Sequence, residues 1–211
     1  MKTSLDVYIR NEEVDGVTNW LWIKGETGLW EGPHEEWPVH IELWHRWIPN
    51  KGVCIQAGGA FGMYPRLHAK YFERVYTFEP NPVSFFILVN NCQMGNIFKF
   101  NMALGAEAGM VDLNMADTAN MGTHQIIPAS SRPYIPIMPL DAFAWDSVDF
   151  IQLDTEGYEK NVLDGAMKTI TKFKPAISAE LGEHLIDVLG PLGYKRRGKT
   201  GADTLFTVDN F

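Results

Sequence analysis

The sequence predicts a doubly wound α/β fold: a mostly parallel sheet with an antiparallel carboxy-terminal edge, preceded by a tryptophan-rich extension. Three observations carry this prediction. From Val53 onward, short apolar runs alternate with helical stretches, the pattern of a parallel sheet covered on both faces. The tail "YKRRGKTGADTLFTVD" reads as two strands around a polar turn, an antiparallel edge. Trp20, Trp22, Trp30, Trp37, Trp44 and Trp47 all precede Lys51 and only Trp145 follows it, so residues 1–51 read as a unit laid against a body of residues 52–211.

Taken in order, "WLWIKGETGLWEGPHEEW" predicts a short strand followed by a Gly/Pro-rich loop. "PVHIELWHRWIPNKG" predicts a helix, because Ile41, Trp44 and Ile48 share one face and "NKG" stops it. In the body, strands are expected at 53–57, 75–78, 97–100, 148–153 and 176–179, with helices at about 63–73, 83–94, 158–171 and 183–190. Between about 104 and 146 the alternation lapses, and "GMVDLNM" and "YIPIMPL" read as extra strands with a loop between them.

Composition excludes several functions. A net charge of -8 argues against gripping a phosphate backbone, so no nucleic-acid partner is expected. No run approaches the ~18 apolar residues of a membrane span, and charges break the first residues too early for a secretory signal. Cys54 and Cys92 are too few for a disulfide framework and sit among apolar residues, which predicts buried free thiols and a cytoplasmic protein.

The chemistry gathers around "QAGGAFG", which follows the first strand of the body. In an open parallel sheet, ligands bind off the carboxyl ends of strands. Gly58 and Gly59 let the backbone turn and approach a ligand, and Gly62 lets the next helix pack closely. Glu79 ends the following strand, 21 positions past Gly58, where a carboxylate can accept hydrogen bonds from both hydroxyls of a ribose. Alignment to the dinucleotide fingerprint puts Ala57 where the first glycine belongs. The turn fits better with D-x-G-x-x-x-G, the first motif of S-adenosylmethionine-dependent methyltransferases.

Several blocks, in order, resemble the FkbM-type methyltransferases. "IQAGGAFG" resembles their D-x-G-A-N-x-G turn, "VYTFEPNP" their A-F-E-P-x-P strand end, and "NMALG" their N-x-A-L-G segment. "MPLDAF" resembles a T-L-D element, "VDFIQLDTEGYEKNVLDGA" the D-x-E-G-x-E block, and "KPAISAEL" the P-x-I-x-x-E strand. The resemblance covers roughly residues 52–181. It implies a Rossmann-like class I methyltransferase fold, S-adenosyl-L-methionine as cofactor, and O-methylation of a sugar or small-metabolite hydroxyl. Gln56 stands where the family has aspartate, and Ala60 where it has asparagine. Glutamine hydrogen-bonds but carries no charge to attract the cofactor's ammonium.

The resemblance and the strand ends together nominate Gln56, Ala57, Gly58, Gly59, Gly62, Glu79, Pro80, Asn101, Met102 and Asp154 for the cofactor. Asp154 and Glu156 are the catalytic candidates, and Glu180 and His124 the substrate candidates. Glu159, at a helix start, reads better as a cap. His184 is a second candidate base. No metal is expected, although Asp141, Asp154 and Glu180 are carboxylates that could converge. "KRRGK" reads as a solvated hairpin or as a contact for an anionic acceptor. The segment containing Trp22 and Trp30 reads as a lid, or the tryptophans pack on the sheet or on a homodimer partner. Two other functions stay open: a nicotinamide-dependent oxidoreductase, and a non-catalytic nucleoside-binding or assembly module.

Overall fold

A computed structural model describes residues 6–13, 18–31, 33–114, 120–131, 134–180 and 182–209. The chain opens with a hairpin, β1 (Val7–Arg10) and β2 (Trp20–Ile23), then two helices, α1 (Gly28–Glu31) and α2 (Pro33–Trp47). There follow β3 (Val53–Ala57), α3 (Met63–His68), β4 (Arg74–Phe78), α4 (Pro82–Asn91) and β5 (Ile97–Phe100). An inserted small sheet comes next, from β6 (Ala103–Leu104), β7 (Gly109–Asn114), β8 (Gln125–Ile127) and β9 (Ile135–Met138). The chain ends with β10 (Phe150–Leu153), α5 (Glu159–Asp164), α6 (Met167–Phe173), β11 (Ala176–Glu180), α7 (Ile186–Leu189), β12 (Lys195–Thr200) and β13 (Asp203–Thr207).

The main sheet has the order β12-β13-β11-β10-β3-β4-β5. The five strands from β11 to β5 are parallel, and β13 runs against both its neighbours. From β3 the chain builds outward to β4 and β5, then returns to lay β10 and β11 on the other side. The order reverses between β3 and β10, and a crevice opens at such a reversal.

Both faces of the sheet are covered, which is why β3 and β10 are buried along their whole length and read as mostly apolar runs. One face packs Trp20, Trp22, Trp44 and Ile48 against Phe61, Leu67, Phe72, Leu88 and Phe150. The other packs Val53, Ile55 and Ile151 against Leu163, Ile170 and Leu189. Trp20, Trp22 and Trp44 thus fill the layer on one face. Each hides roughly 200 Å² of surface, on the order of 5 kcal/mol of hydrophobic stabilisation. Asn91 fixes the hairpin in place: its Oδ1 accepts from Leu21 N at 2.7 Å, while its Nδ2 donates to Leu21 O at 3.1 Å and Phe61 O at 2.7 Å.

The structure departs from the expected elements in three places. The loop expected through residues 33–37 belongs to α2, which starts at Pro33; a proline at the first helical position gives up no intrahelical bond. The strand β1 was not foreseen, because Val7, Tyr8 and Ile9 are exposed and show no buried alternation. The helix expected at 158–171 is two helices, α5 and α6. It breaks where Gly165 O accepts from Asp141 N at 2.9 Å and where a β-carbon on Gly165 would lie 1.9 Å from Gly105 O. Among the described residues, no helix is long and apolar enough to cross a membrane.

Candidate active site

Strand register builds the site. Ala57 pairs with Phe78 on one side and Leu153 on the other, and Leu153 pairs with Ala179. The next residues along, Glu79, Gly58, Asp154 and Glu180, therefore form one row across the carboxyl end of the sheet. Asp203 extends the row, paired with Glu180. Glu79, Gly58, Asp154 and Glu180 line a cavity of about 380 Å³ with Ala57, Ala60, Pro80, Glu156 and His124. Gly28 and Leu29 of α1 and residues 120–123 form further wall.

The glycine turn is built for contact. The N–H groups of Gly58 and Gly59 both donate to Phe78 O, at 2.9 and 3.1 Å. Gly58 has φ +90°, and a β-carbon there would lie 1.8 Å from Asp154 O, so no other residue fits. Gln56 braces this turn from behind. Fully buried, it accepts from the Thr77 hydroxyl at 2.5 Å and donates to Gly58 O at 2.6 Å. Gln56, Gly59, Gly62, Asn101 and Met102 do not line the cavity. Asn101 ties down the β4 end by donating to Glu79 O at 2.8 Å and Pro80 O at 3.2 Å, and Met102 packs on the core.

Glu79 is held by two backbone donors: Ala60 N at 2.7 Å on Oε2 and Asn81 N at 2.8 Å on Oε1. Burial outweighs these bonds and pushes its carboxyl up to about 7. At the opposite end, Asp154, Glu156 and Glu180 bring carboxylate oxygens within 4.8 Å of one another. Burial and then the charges of Glu180, Asp203 and Glu156 raise Asp154 well above the ordinary carboxylate range. Burial, then Glu180 and Glu159, push Glu156 up to about 7. Glu156 also has φ +53°, a left-handed conformation that costs a non-glycine residue on the order of 1 kcal/mol or more.

Glu159 folds back to accept from Thr155 N and Thr155 Oγ1 at 3.0 Å and Gly157 N at 3.2 Å, so it shapes the turn that carries Glu156. His124 meets Asn81: the Asn81 carbonyl accepts from Val83 N at 2.9 Å, so its amide donates to His124 Nδ1 at 2.8 Å. That bond occupies the Nδ1 lone pair and leaves the neutral ring's proton on Nε2. Asp141 does not converge with the other acids; it accepts from Lys168 N, Thr169 N and Thr169 Oγ1, each at 2.8 Å, and so caps α6. His184 is exposed and away from the cavity. The "KRRGK" cations pair locally: Lys195 and Arg197 with Asp209, Lys199 with Glu183.

The lid reading needs a correction at Trp22, which is fully buried edge-on against Phe61 at 4.8 Å and closes no cavity. The side chain of Trp30 lies outside the described residues. Gly28 and Leu29 of the same segment do reach the cavity, through Glu26, a residue sequence reasoning missed. Glu26 is buried, and its Oε1 accepts from Leu29 N at 3.0 Å and Met121 N at 3.4 Å. Asn81 was also missed, although "EPNP" carries the signal: an asparagine before a proline is a helix start, and here it caps α4.

A parallel sheet with a glycine turn, an acid one strand away and a cavity at the reversal point is the architecture on which α/β proteins bind nucleosides. Within that class, the family described as Methyltransferase FkbM domain matches residues 58–195, and the chain belongs to it. The solved FkbM methyltransferase of Methylobacillus flagellatus KT is similar at TM-score 0.53 and 19% identity, over 75% of this chain and 43% of that one. The chain thus spans less than half the length of that relative. Precorrin 8w decarboxylase of Methanobacterium thermoautotrophicum is similar at TM-score 0.51 and 13% identity, over 86% of this chain and 95% of that one. So is precorrin-6y C5,15-methyltransferase of Geobacter metallireducens GS-15, at TM-score 0.51 and 10% identity, over 86% and 90%. At such identities the likeness shows a shared fold. No curated protein matches the sequence.

Proposed function

We propose that the chain is an S-adenosylmethionine-dependent methyltransferase acting on a hydroxyl of a sugar or another small metabolite. One observation carries the reading: Glu79, Gly58, Asp154 and Glu180 stand in one row and line one cavity. The donor set suits this cofactor. Glu79 offers a fixed carboxylate for ribose hydroxyls, the bare Gly58 backbone admits close approach, and the Asp154 end offers negative charge to the cationic methionyl part. Bound S-adenosylmethionine supplies an electrophilic methyl group. The protein's own part is to hold the acceptor oxygen against that carbon, exclude water and remove one proton.

The Asp154–Glu156–Glu180 group does the last of these. With the cofactor bound to supply the methyl group, a carboxylate oxygen of this group would take the proton that the acceptor oxygen gives up. Burial and mutual repulsion hold Glu156 near 7, where a base is most effective at neutral pH. Among the described residues lining the cavity there is no lysine or arginine, which favours a neutral acceptor over a phosphorylated one. Two buried free cysteines suit a reducing cytoplasm.

Thermal unfolding with S-adenosylhomocysteine, S-adenosylmethionine or NAD added separately tests the reading. A native-state ligand at 100 times its Kd stabilises by about 2.7 kcal/mol. A shift with the first two and none with NAD supports it; no shift with either sulfur compound sinks it.

A further inference from the structure

The cavity carries its charge at two unequal ends. Glu79 stands by itself at the β4 end, already held by the Ala60 and Asn81 N–H groups. Asp154, Glu156 and Glu180 gather at the β10–β11 end. Among the described residues lining the cavity, no lysine or arginine offsets them. S-adenosylmethionine has two cationic groups, the sulfonium and the α-ammonium, and both belong to its methionyl half. Charge complementarity therefore sends that half toward Asp154 and the ribose toward Glu79.

Gln56 cannot read the ammonium. It has no charge, its surface is wholly buried, and both ends of its amide are engaged by Thr77 and Gly58. Asp154 stands one strand over from that position and opposite the glycine turn. Its N–H donates to Ala57 O at 3.0 Å, and its carbonyl lies against Gly58. Asp154 is partly exposed and lines the cavity wall next to Gly58 and Ala57. A carboxylate is thus present across the reversal point, where β3 supplies only a buried amide.

Resting on the cofactor reading above, we propose that Asp154 reads the cofactor's α-ammonium, which leaves Glu156 and Glu180 to the acceptor. The three carboxylates then divide the work: one binds, and two receive and deprotonate the acceptor. The groups facing Asp154 are Glu156 beyond β10, Glu180 of β11 and Asp203 of β13, with His40 of α2 3.5 Å behind Asp203. All but His40 are acids. A cation arriving among them displaces a proton, because it favours the ionised form of the group it meets.

Isothermal titration calorimetry on the full chain tests this without any acceptor. The probes are S-adenosylhomocysteine and its deamino analogue, which lacks only the ammonium. Wild type is expected to prefer S-adenosylhomocysteine by about ten- to hundredfold, the worth of one charge-assisted hydrogen bond. Asp154→Asn should erase that preference while binding the deamino analogue within about twofold of wild type. Glu180→Gln should keep it. In buffers of differing ionisation enthalpy, wild type should release more protons near pH 7 with S-adenosylhomocysteine than with the analogue. This last measurement needs no variant to fold. Equal proton release with both ligands overturns the assignment, as does a preference that survives Asp154→Asn or vanishes in Glu180→Gln. Wild type that binds neither ligand overturns the cofactor reading, and the assignment falls with it.

Discussion

A β-carbon on Gly58 would lie 1.8 Å from the carbonyl oxygen of Asp154, so the first glycine of the turn and the acid across the reversal point are in direct contact. Both belong to backbone that β3 and β10 fix, and neither can retreat without breaking the sheet. Gly58→Ala combines this collision with an unfavourable φ of +90°. It should cost more than about 4 kcal/mol, the range reserved for strained or overpacked sites. Urea unfolding checks the figure; a loss below about 1 kcal/mol would mean the turn can move.

Gln56 supports that turn from beneath, and its substitution should separate stability from recognition. Gln56→Ala leaves the Thr77 hydroxyl and the Gly58 carbonyl short of a partner in a buried place. The expected loss is about 1–3 kcal/mol. Because the side chain does not line the cavity, the preference for S-adenosylhomocysteine over its deamino analogue should persist. Denaturant unfolding and calorimetry on one preparation measure both.

The buried titratable groups predict a pH dependence with two limbs of opposite sign. Burial lowers His68 from 6.5 to about 4, even though it meets Gln152 Oε1 through Nε2 at 2.6 Å. A lowered histidine binds protons more readily when unfolded, so its stabilisation is lost as pH falls from 6.5 toward 4. The full effect is about 3 kcal/mol. Burial lowers His40 of α2 to about 4 as well, so the limb is shared and His68→Leu should remove about half of it. Glu156 runs the other way: raised from 4.5 to about 7, it favours the native state at low pH and loses that contribution as pH rises through 7. Glu156→Gln should match wild type in Tm near pH 4.5 and exceed it by a few degrees at pH 8. Scans across that range, without ligand, decide both limbs.

Glu26 ties two parts of the cavity wall together, bonding Leu29 N three residues on and Met121 N 95 residues on. Glu26→Ala should weaken S-adenosylhomocysteine binding several-fold, while Glu26→Gln, which keeps an acceptor oxygen, should stay close to wild type. Equal losses in the two variants would show that the charge and not the hydrogen bonds matters.

Legibility in the sequence followed the range of the interactions. The central strands could be read because both their faces are buried, which leaves runs such as "VCIQA" and "FIQL" with little polar content. Glu79, Asp154 and Glu180 could be placed because a strand's end fixes where the next side chain goes. Wall residues could not: the bond between Glu26 and Met121 leaves no periodicity or spacing to detect. Nor could the state of Gln56, since the sequence reports an amide but not that Thr77 and Gly58 engage both its ends. Asp141 misled for a related reason, as a carboxylate near the site in sequence that caps a helix.

Asn91 carries a consequence for how the molecule opens. One side chain of α4 closes the backbone edge at Leu21 on both its N–H and its carbonyl, and the same amide also reaches Phe61 beside the glycine turn. The hairpin cannot peel away without stripping a buried amide of its partners and uncovering Trp20 and Trp22. The Leu21 amide should therefore exchange its hydrogen as slowly as those of β3, and open only when the whole sheet opens. A hairpin that looks like an appendage in the sequence should thus share one melting event with the strands that build the cavity.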